Sequence, residues 1–227
     1  MSAADTIDQT YQIQIPHENI VLEGEVHLPK DPAAGVVVFA HGSGSSRFSP
    51  RNQYVAKVLH THGVGTLLMD LLTSKEEAID DVTRELRFDI RMLTNRVVSA
   101  IDFLERDPRT AGRPFGTFGA STGGAAALWA ASLRPNNIHC AISRGGRVDL
   151  VPMDITRTLS CPTTLIVGER DPQVLEWNQK VHNNLGAAKA REVVIIKGAT
   201  HLFEEKGALE EVAKVAASYF EKYLKKV

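Results

Sequence analysis

Two short runs near the start of the chain alternate apolar and polar residues: Tyr11-Gln12-Ile13-Gln14-Ile15 and Ile20-Val21-Leu22-Glu23-Gly24-Glu25-Val26-His27-Leu28. A period of two sends successive side chains to opposite faces, so each run predicts a strand with one buried face, and together they predict an antiparallel start. After Pro29 and Pro32 the character changes. Val36-Val37-Val38-Phe39-Ala40 is apolar without interruption, as expected of a strand covered on both faces. Residues 66–69, 115–118, 140–142, 164–167 and 193–196 form further short runs of that kind. Between them the period lengthens. Val82, Leu86, Ile90, Leu93, Val97, Ile101 and Leu104 step by three or four and predict one long crossover helix, and Leu209, Val212, Ala216, Phe220 and Tyr223 predict a last one. Alternating strand and helix implies an α/β fold: a mostly parallel sheet of about eight strands with helices on both faces. No linker or composition shift divides residues 1–227, so one domain is expected.

Sheets of this kind gather their reactive groups at the carboxyl ends of the strands. Four loops there carry chemistry. Gly119-Ala120-Ser121-Thr122-Gly123-Gly124 lies between an apolar run and the alanine-rich segment 125–131. This G-x-S-x-G spacing predicts a sharp strand-to-helix turn with the Ser121 hydroxyl held clear of the sheet. His41-Gly42-Ser43-Gly44-Ser45-Ser46 follows Ala40, Glu169-Arg170-Asp171 follows Gly168, and Gly198-Ala199-Thr200-His201 follows Lys197. The chain order is therefore Ser121, Asp171, His201. A serine hydroxyl is a weak nucleophile and needs a base; a histidine can take its proton and return it to the leaving group; a carboxylate orients the imidazole. The oxyanion that forms needs preorganised donors, expected from the backbone N–H groups of Thr122 and Ser43.

Other residues are weaker candidates. Asp149 also follows a strand-like run, and Glu169 reads as a solvated loop residue. His17, His27, His60, His62, His139 and His182 read as surface or satisfied core groups, and His41 as a loop-fixing residue. Arg51, Arg144 and Arg147 follow strand ends and could bind an anionic substrate group, or pair with a loop carbonyl or carboxylate. No Cys/His cluster has metal-ligand spacing, so neither metal nor cofactor is expected.

Composition narrows the class. A net charge of −1 offers no footprint for nucleic acid or an anionic membrane, and no apolar stretch is long enough to span a bilayer. The start, Met1-Ser2-Ala3-Ala4-Asp5, lacks the basic and apolar regions of a secretory signal, and Lys222, Lys225 and Lys226 read as the solvated end of a helix. Cys140 and Cys161 sit in or beside apolar runs and read as reduced core residues, so a soluble, cytoplasmic protein is expected.

The motifs at residues 41–46, 119–124, 168–171 and 198–203 resemble those of the α/β-hydrolase superfamily, and within it the small, lidless dienelactone-hydrolase-like group; the resemblance runs from about Tyr11 to the last helix. Residues 47–52 and 143–147 are also similar to stretches of a subgroup of broad-range members. Dienelactone hydrolase itself uses a cysteine nucleophile; Ser121 here points instead to a serine carboxylesterase. Only about 20 residues separate the runs at 140–143 and 164, too few for a cap domain, so an open site for small or short-acyl esters is expected. The alternatives are acyl transfer, lactone or thioester hydrolysis on the same residues, or a non-catalytic binding module. The oligomeric state and the natural substrate are left open by the sequence.

Overall fold

The computed structural model describes residues 8–224. Its strands are β1 (Gln9–His17), β2 (Ile20–Leu28), β3 (Val36–Ala40), β4 (Gly65–Met69), β5 (Phe115–Ala120), β6 (Ile138–Arg144), β7 (Thr163–Gly168) and β8 (Arg191–Ile196). They form one eight-stranded sheet in the order β1-β2-β4-β3-β5-β6-β7-β8. β1 and β2 pair antiparallel, β2 meets β4 antiparallel, and every other neighbouring pair is parallel. The helices are α1 (Pro50–Thr61), α2 (Ser74–Thr83), α3 (Ile90–Arg106), α4 (Thr122–Leu133), α5 (Met153–Thr158), α6 (Pro172–Asn184) and α7 (Ala208–Tyr223).

The two hydrophobic rhythms have one cause, the covering of the sheet. β3, β4, β5 and β7 are buried at every residue, whereas β2 alternates. Successive residues of β3 feed opposite cores. Val36, Val38 and Ala40 pack with residues of α3 and α4, while Val37 and Phe39 pack with residues of α1 and α7. Full burial of one such side chain contributes roughly 1.5–3 kcal/mol, which makes these central strands the frame on which the loops are hung.

One expected element is different. The period from Val82 to Leu104 is not a single helix: α2 ends at Arg84, whose φ of 58° is left-handed. A 3-10 turn at Leu86–Phe88 follows, and Asp89 restarts the helix by accepting a hydrogen bond from the N–H of Met92 at 2.9 Å. Val82 is 84% exposed, so its place in the period was coincidental. The acidic residues at the start of α2 and along it are tied into the fold. Thr73 and Glu76 form a capping box, Glu76 pairs with the buried Arg96 at 2.6 Å, and the buried Asp80 accepts from Arg87 at 2.6 Å.

Between β6 and β7 only a 3-10 turn (Val148–Leu150) and the six-residue α5 intervene, so no cap domain covers the carboxyl ends of the strands there. Cys140 and Cys161 are free and buried, and burial pushes the Cys161 thiol up to about 11. Among the described residues no helix is long and apolar enough to cross a membrane. The features expected at residues 1–5 and at Lys225 and Lys226 lie outside the described residues.

Candidate active site

Ser121 sits between β5 and α4 at φ 52°, ψ −121°, a conformation an L-residue holds only under constraint. The constraint is steric. A Cβ on Gly119 would lie 2.1 Å from the Gly123 carbonyl oxygen, and one on Gly123 would lie 2.3 Å from the carbonyl oxygens of both Ala40 and His41. Only glycine lets β5, the start of α4 and the end of β3 approach so closely. The turn is tied down by backbone bonds: the N–H of Ser121 donates to the Arg144 carbonyl at 3.2 Å, and the N–H of Arg147 donates to the Ser121 carbonyl at 3.0 Å.

His201 and Asp171 come to this turn from the two loops at the far side of the sheet. Asp171 stands at the N-cap position of α6, in the short loop that follows β7, without capping the helix through its side chain, and its Oδ2 lies 2.6 Å from His201 Nδ1. A carboxylate only accepts, so Nδ1 carries the proton and the Nε2 lone pair is left facing Ser121 Oγ, 3.3 Å away. The structure thus brings together the three residues that the strand-end order singles out. The His201 side chain is 36% exposed, so solvent reaches the imidazole.

The expected oxyanion loop lies against the turn. A Cβ on Gly42 would be 3.2 Å from Ser121 Cβ, and Ser43 Oγ is 3.0 Å from Thr122 Oγ1. Thr122 opens α4, where helical N–H groups have no intrahelical partner. His41 behaves as a loop-fixing residue. Its Nε2 accepts from the Leu71 N–H at 2.9 Å, so its Nδ1 donates to the Gly42 carbonyl at 2.9 Å. Burial lowers its basicity, which keeps the ring neutral for those two bonds. A second anchor was not foreseen: Asp70, directly after β4, accepts from the Arg47 N–H at 2.7 Å and pairs with the Arg47 guanidinium.

The His201 loop has unforeseen anchors too. Glu169, expected to be merely solvated, accepts from the Gly198 N–H at 2.7 Å. Glu205 accepts from both the N–H and the hydroxyl of Thr200, at 3.1 and 2.6 Å. Strand-end position was the available signal for Asp70 and Glu169; Glu205 had none.

The three arginines separate. Arg147 is engaged by Asp149 through two bonds of 2.9 Å and lies over the Trp177 ring, so neither Arg147 nor Asp149 is offered to the site. Arg51 pairs with Glu204 at 3.2 Å, and Arg144 is buried beside the turn. A cavity of about 260 Å³ adjoins the loop at residues 41–46, lined among others by Ser43, Gly44, Leu71, Leu93 and Thr122. Neither this cavity nor a larger groove of about 1090 Å³ between α1, β8 and α7 is lined by Ser121, Asp171 or His201, but the smaller one reaches Thr122, next in the chain to Ser121. Among the described residues no group of three or more His, Cys, Asp or Glu side chains is placed to hold a metal ion.

The dienelactone hydrolase family model matches residues 22–226. The chain belongs to the dienelactone hydrolase family. It is 48% identical to a dienelactone hydrolase from Anabaena variabilis of known structure, with a TM-score of 0.92 over 96% of this chain and 99% of that one. It is also similar to Est1E from Butyrivibrio proteoclasticus, with a TM-score of 0.77 at 15% identity over 93% of this chain and 98% of that one, a likeness of fold alone. Among curated proteins it is 45% identical over 219 residues, 96% of its length, to a Mycobacterium tuberculosis protein named "Putative phosphoribosyl transferase". The chain spans about half that relative, 48% of its length. Family and fold together place this chain on the α/β-hydrolase fold.

Proposed function

We propose that the chain is a serine carboxylesterase acting on small or short-acyl esters through an acyl-enzyme. The observation that carries this reading is His201, whose two ring nitrogens reach Asp171 at 2.6 Å and Ser121 at 3.3 Å. Ser121 Oγ attacks the ester carbonyl as His201 Nε2 takes its proton. Asp171 holds the ring in that tautomer and stabilises the imidazolium. The N–H groups of Thr122 and Ser43 stabilise the oxyanion, and His201 then protonates the departing alcohol. Water repeats the sequence on the acyl-enzyme. The exposure of His201 and the lack of a cap between β6 and β7 support hydrolysis over transfer, because water reaches the acyl group freely. The cavity of about 260 Å³ beside Ser43 and Thr122 supports a small acyl or alcohol part.

Nothing in this geometry favours the phosphoribosyl transfer in the mycobacterial relative's name, and the match covers only 48% of that protein. The test is Ser121→Ala assayed with p-nitrophenyl acetate. Turnover falls at least about ten-thousand-fold, and a fluorophosphonate probe no longer labels the folded protein. Wild-type activity in that variant overturns the assignment.

A further inference from the structure

The two ends of the sheet are finished differently. At one end β1 turns Thr10, Gln12 and Gln14 to solvent and carries Pro16, which has no N–H to offer another strand. At the other end β8 carries Val193-Val194-Ile195-Ile196, and Ile195 is 45% exposed. Its pairing with β7 is regular, without a bulge. Proline, a bulge or a charge usually protects an open edge from another strand, and β8 has none of these after Glu192.

The groups that β8 offers follow from its pairing. The carbonyls of Ala190 and Ile196 accept from the N–H groups of Thr163 and Glu169, so both point toward β7. Backbone groups alternate sides along a strand, so the N–H and C=O groups of Arg191, Val193 and Ile195 point outward along the open edge. Side chains alternate between the faces in the same way. Glu192 and Val194 line the groove of about 1090 Å³ between α1, β8 and α7, whose apolar wall also includes Tyr54, Val58 and Val215. The charges around this groove are of both signs. Glu210 and Glu211 stand in the first turn of α7, Lys214 and Lys222 lie farther along it, and among the described residues none of them forms an ion pair. A second α7 running the opposite way would set acid against base at both ends.

We propose that β8 and the groove beside it form the interface with a second copy of this chain, β8 pairing antiparallel with its counterpart about a two-fold axis at Val193. Only a register centred on an outward-pointing residue lets the free groups meet. Val193 then faces Val193 of the second copy, and Arg191 faces Ile195 in both directions, so each outward N–H and C=O finds a partner. Arg191 Nη1 donates to the Leu185 carbonyl at 2.8 Å, which fixes the side chain whose stem would cover the exposed Ile195 opposite. The dimer is independent of the chemistry proposed for Ser121.

Analytical ultracentrifugation of the full chain from about 1 μM to 1 mM reads the association directly. Wild type gives a monomer–dimer equilibrium in which two chains are the largest species. Ile195→Lys and Ile195→Glu both remove the same aliphatic group from an exposed position, but they present opposite charges to Arg191 of the second copy. I195K raises the dissociation constant at least about tenfold more than I195E, because the contact occurs on both sides of the axis. Equal constants in the two variants, a wild type that stays monomeric throughout, or a series of species larger than two chains each overturn the interface. If either variant fails to fold, amide exchange of the wild-type chain decides. The N–H groups of Arg191, Val193 and Ile195 then exchange more slowly at high than at low protein concentration, while those of β1 do not change. Exchange along β8 that is independent of concentration overturns the interface as well.

Discussion

The turn at Ser121 and the loop at His201 present partners of one proposed proton transfer, yet they are held in opposite ways. At Ser121 the backbone does the work. Gly119 and Gly123 let three elements approach until no Cβ would fit, and Ser121 is forced to φ 52°. At His201 side chains do it: Glu169 grips Gly198, Glu205 grips Thr200, and Asp171 grips the imidazole itself. Constraint by close packing tolerates no added atom. Constraint by carboxylates tolerates added bulk but depends on charge and hence on pH. The first region should therefore break when something is inserted, the second when a charge is removed.

The largest expected effect belongs to the charge-held side. Asp171→Asn keeps the size of the side chain but lets the amide donate to Nδ1, which moves the imidazole proton to Nε2 and turns a base into a donor. The expected outcome is a loss of kcat of roughly ten-thousand-fold on p-nitrophenyl acetate with the fold intact. A loss smaller than tenfold would mean that Asp171 does not orient His201. On the packing-held side the matching change is Gly123→Ala. Its methyl meets the Ala40 and His41 carbonyl oxygens at 2.3 Å, and backbone cannot yield as a side chain can. We expect a loss of about 3 kcal/mol in urea-induced unfolding, together with activity, because the clash pushes the loop that starts at His41 away from the turn. Smaller again, and opposite in sign, is Ser121→Gly. It removes the nucleophile but relieves the positive φ, so the inactive protein gains about 1–3 kcal/mol, while Ser121→Ala gains none of it. Equal stability of the two variants would show that the turn stores no strain.

The same contrast explains what could be read from the sequence. Backbone constraints leave compositional marks: Gly119, Gly123 and the continuous apolar strands each require a residue type, so the sheet, the turn and the order Ser121, Asp171, His201 were legible. Side-chain anchors leave no such mark. Asp70 serves Arg47 from 23 residues away and Glu169 serves Gly198 from 29, separations at which an acidic residue looks like any solvated one. The break at Arg84 was hidden because apolar spacing runs through it unchanged; the stop is written in Asp80, which accepts from the N–H and guanidinium of Arg87 and is thereby buried. Arg144, Arg51 and Arg147 were indistinguishable as residues after strand ends. Only the partners present or missing around each guanidinium separate them.

The smallest effect tests the charge dependence of the His201 loop directly. The bonds from Thr200, its hydroxyl foremost, hold the Glu205 carboxyl below its ordinary value of 4.5. A carboxyl depressed by folding contributes its stabilisation fully above the unfolded value and loses it as pH falls through the folded one. Glu205→Gln keeps an oxygen that accepts from Thr200 but carries no charge. The variant therefore unfolds at a slightly lower temperature than wild type near neutral pH. That gap narrows only as pH drops below 4.5, where protonation makes the wild-type side chain neutral as well. Thermal unfolding of both proteins across the acidic range measures it. A gap that stays constant down to pH of about 3 would show that the anchor works through its shape, and the distinction drawn between the two regions would lose its electrostatic half.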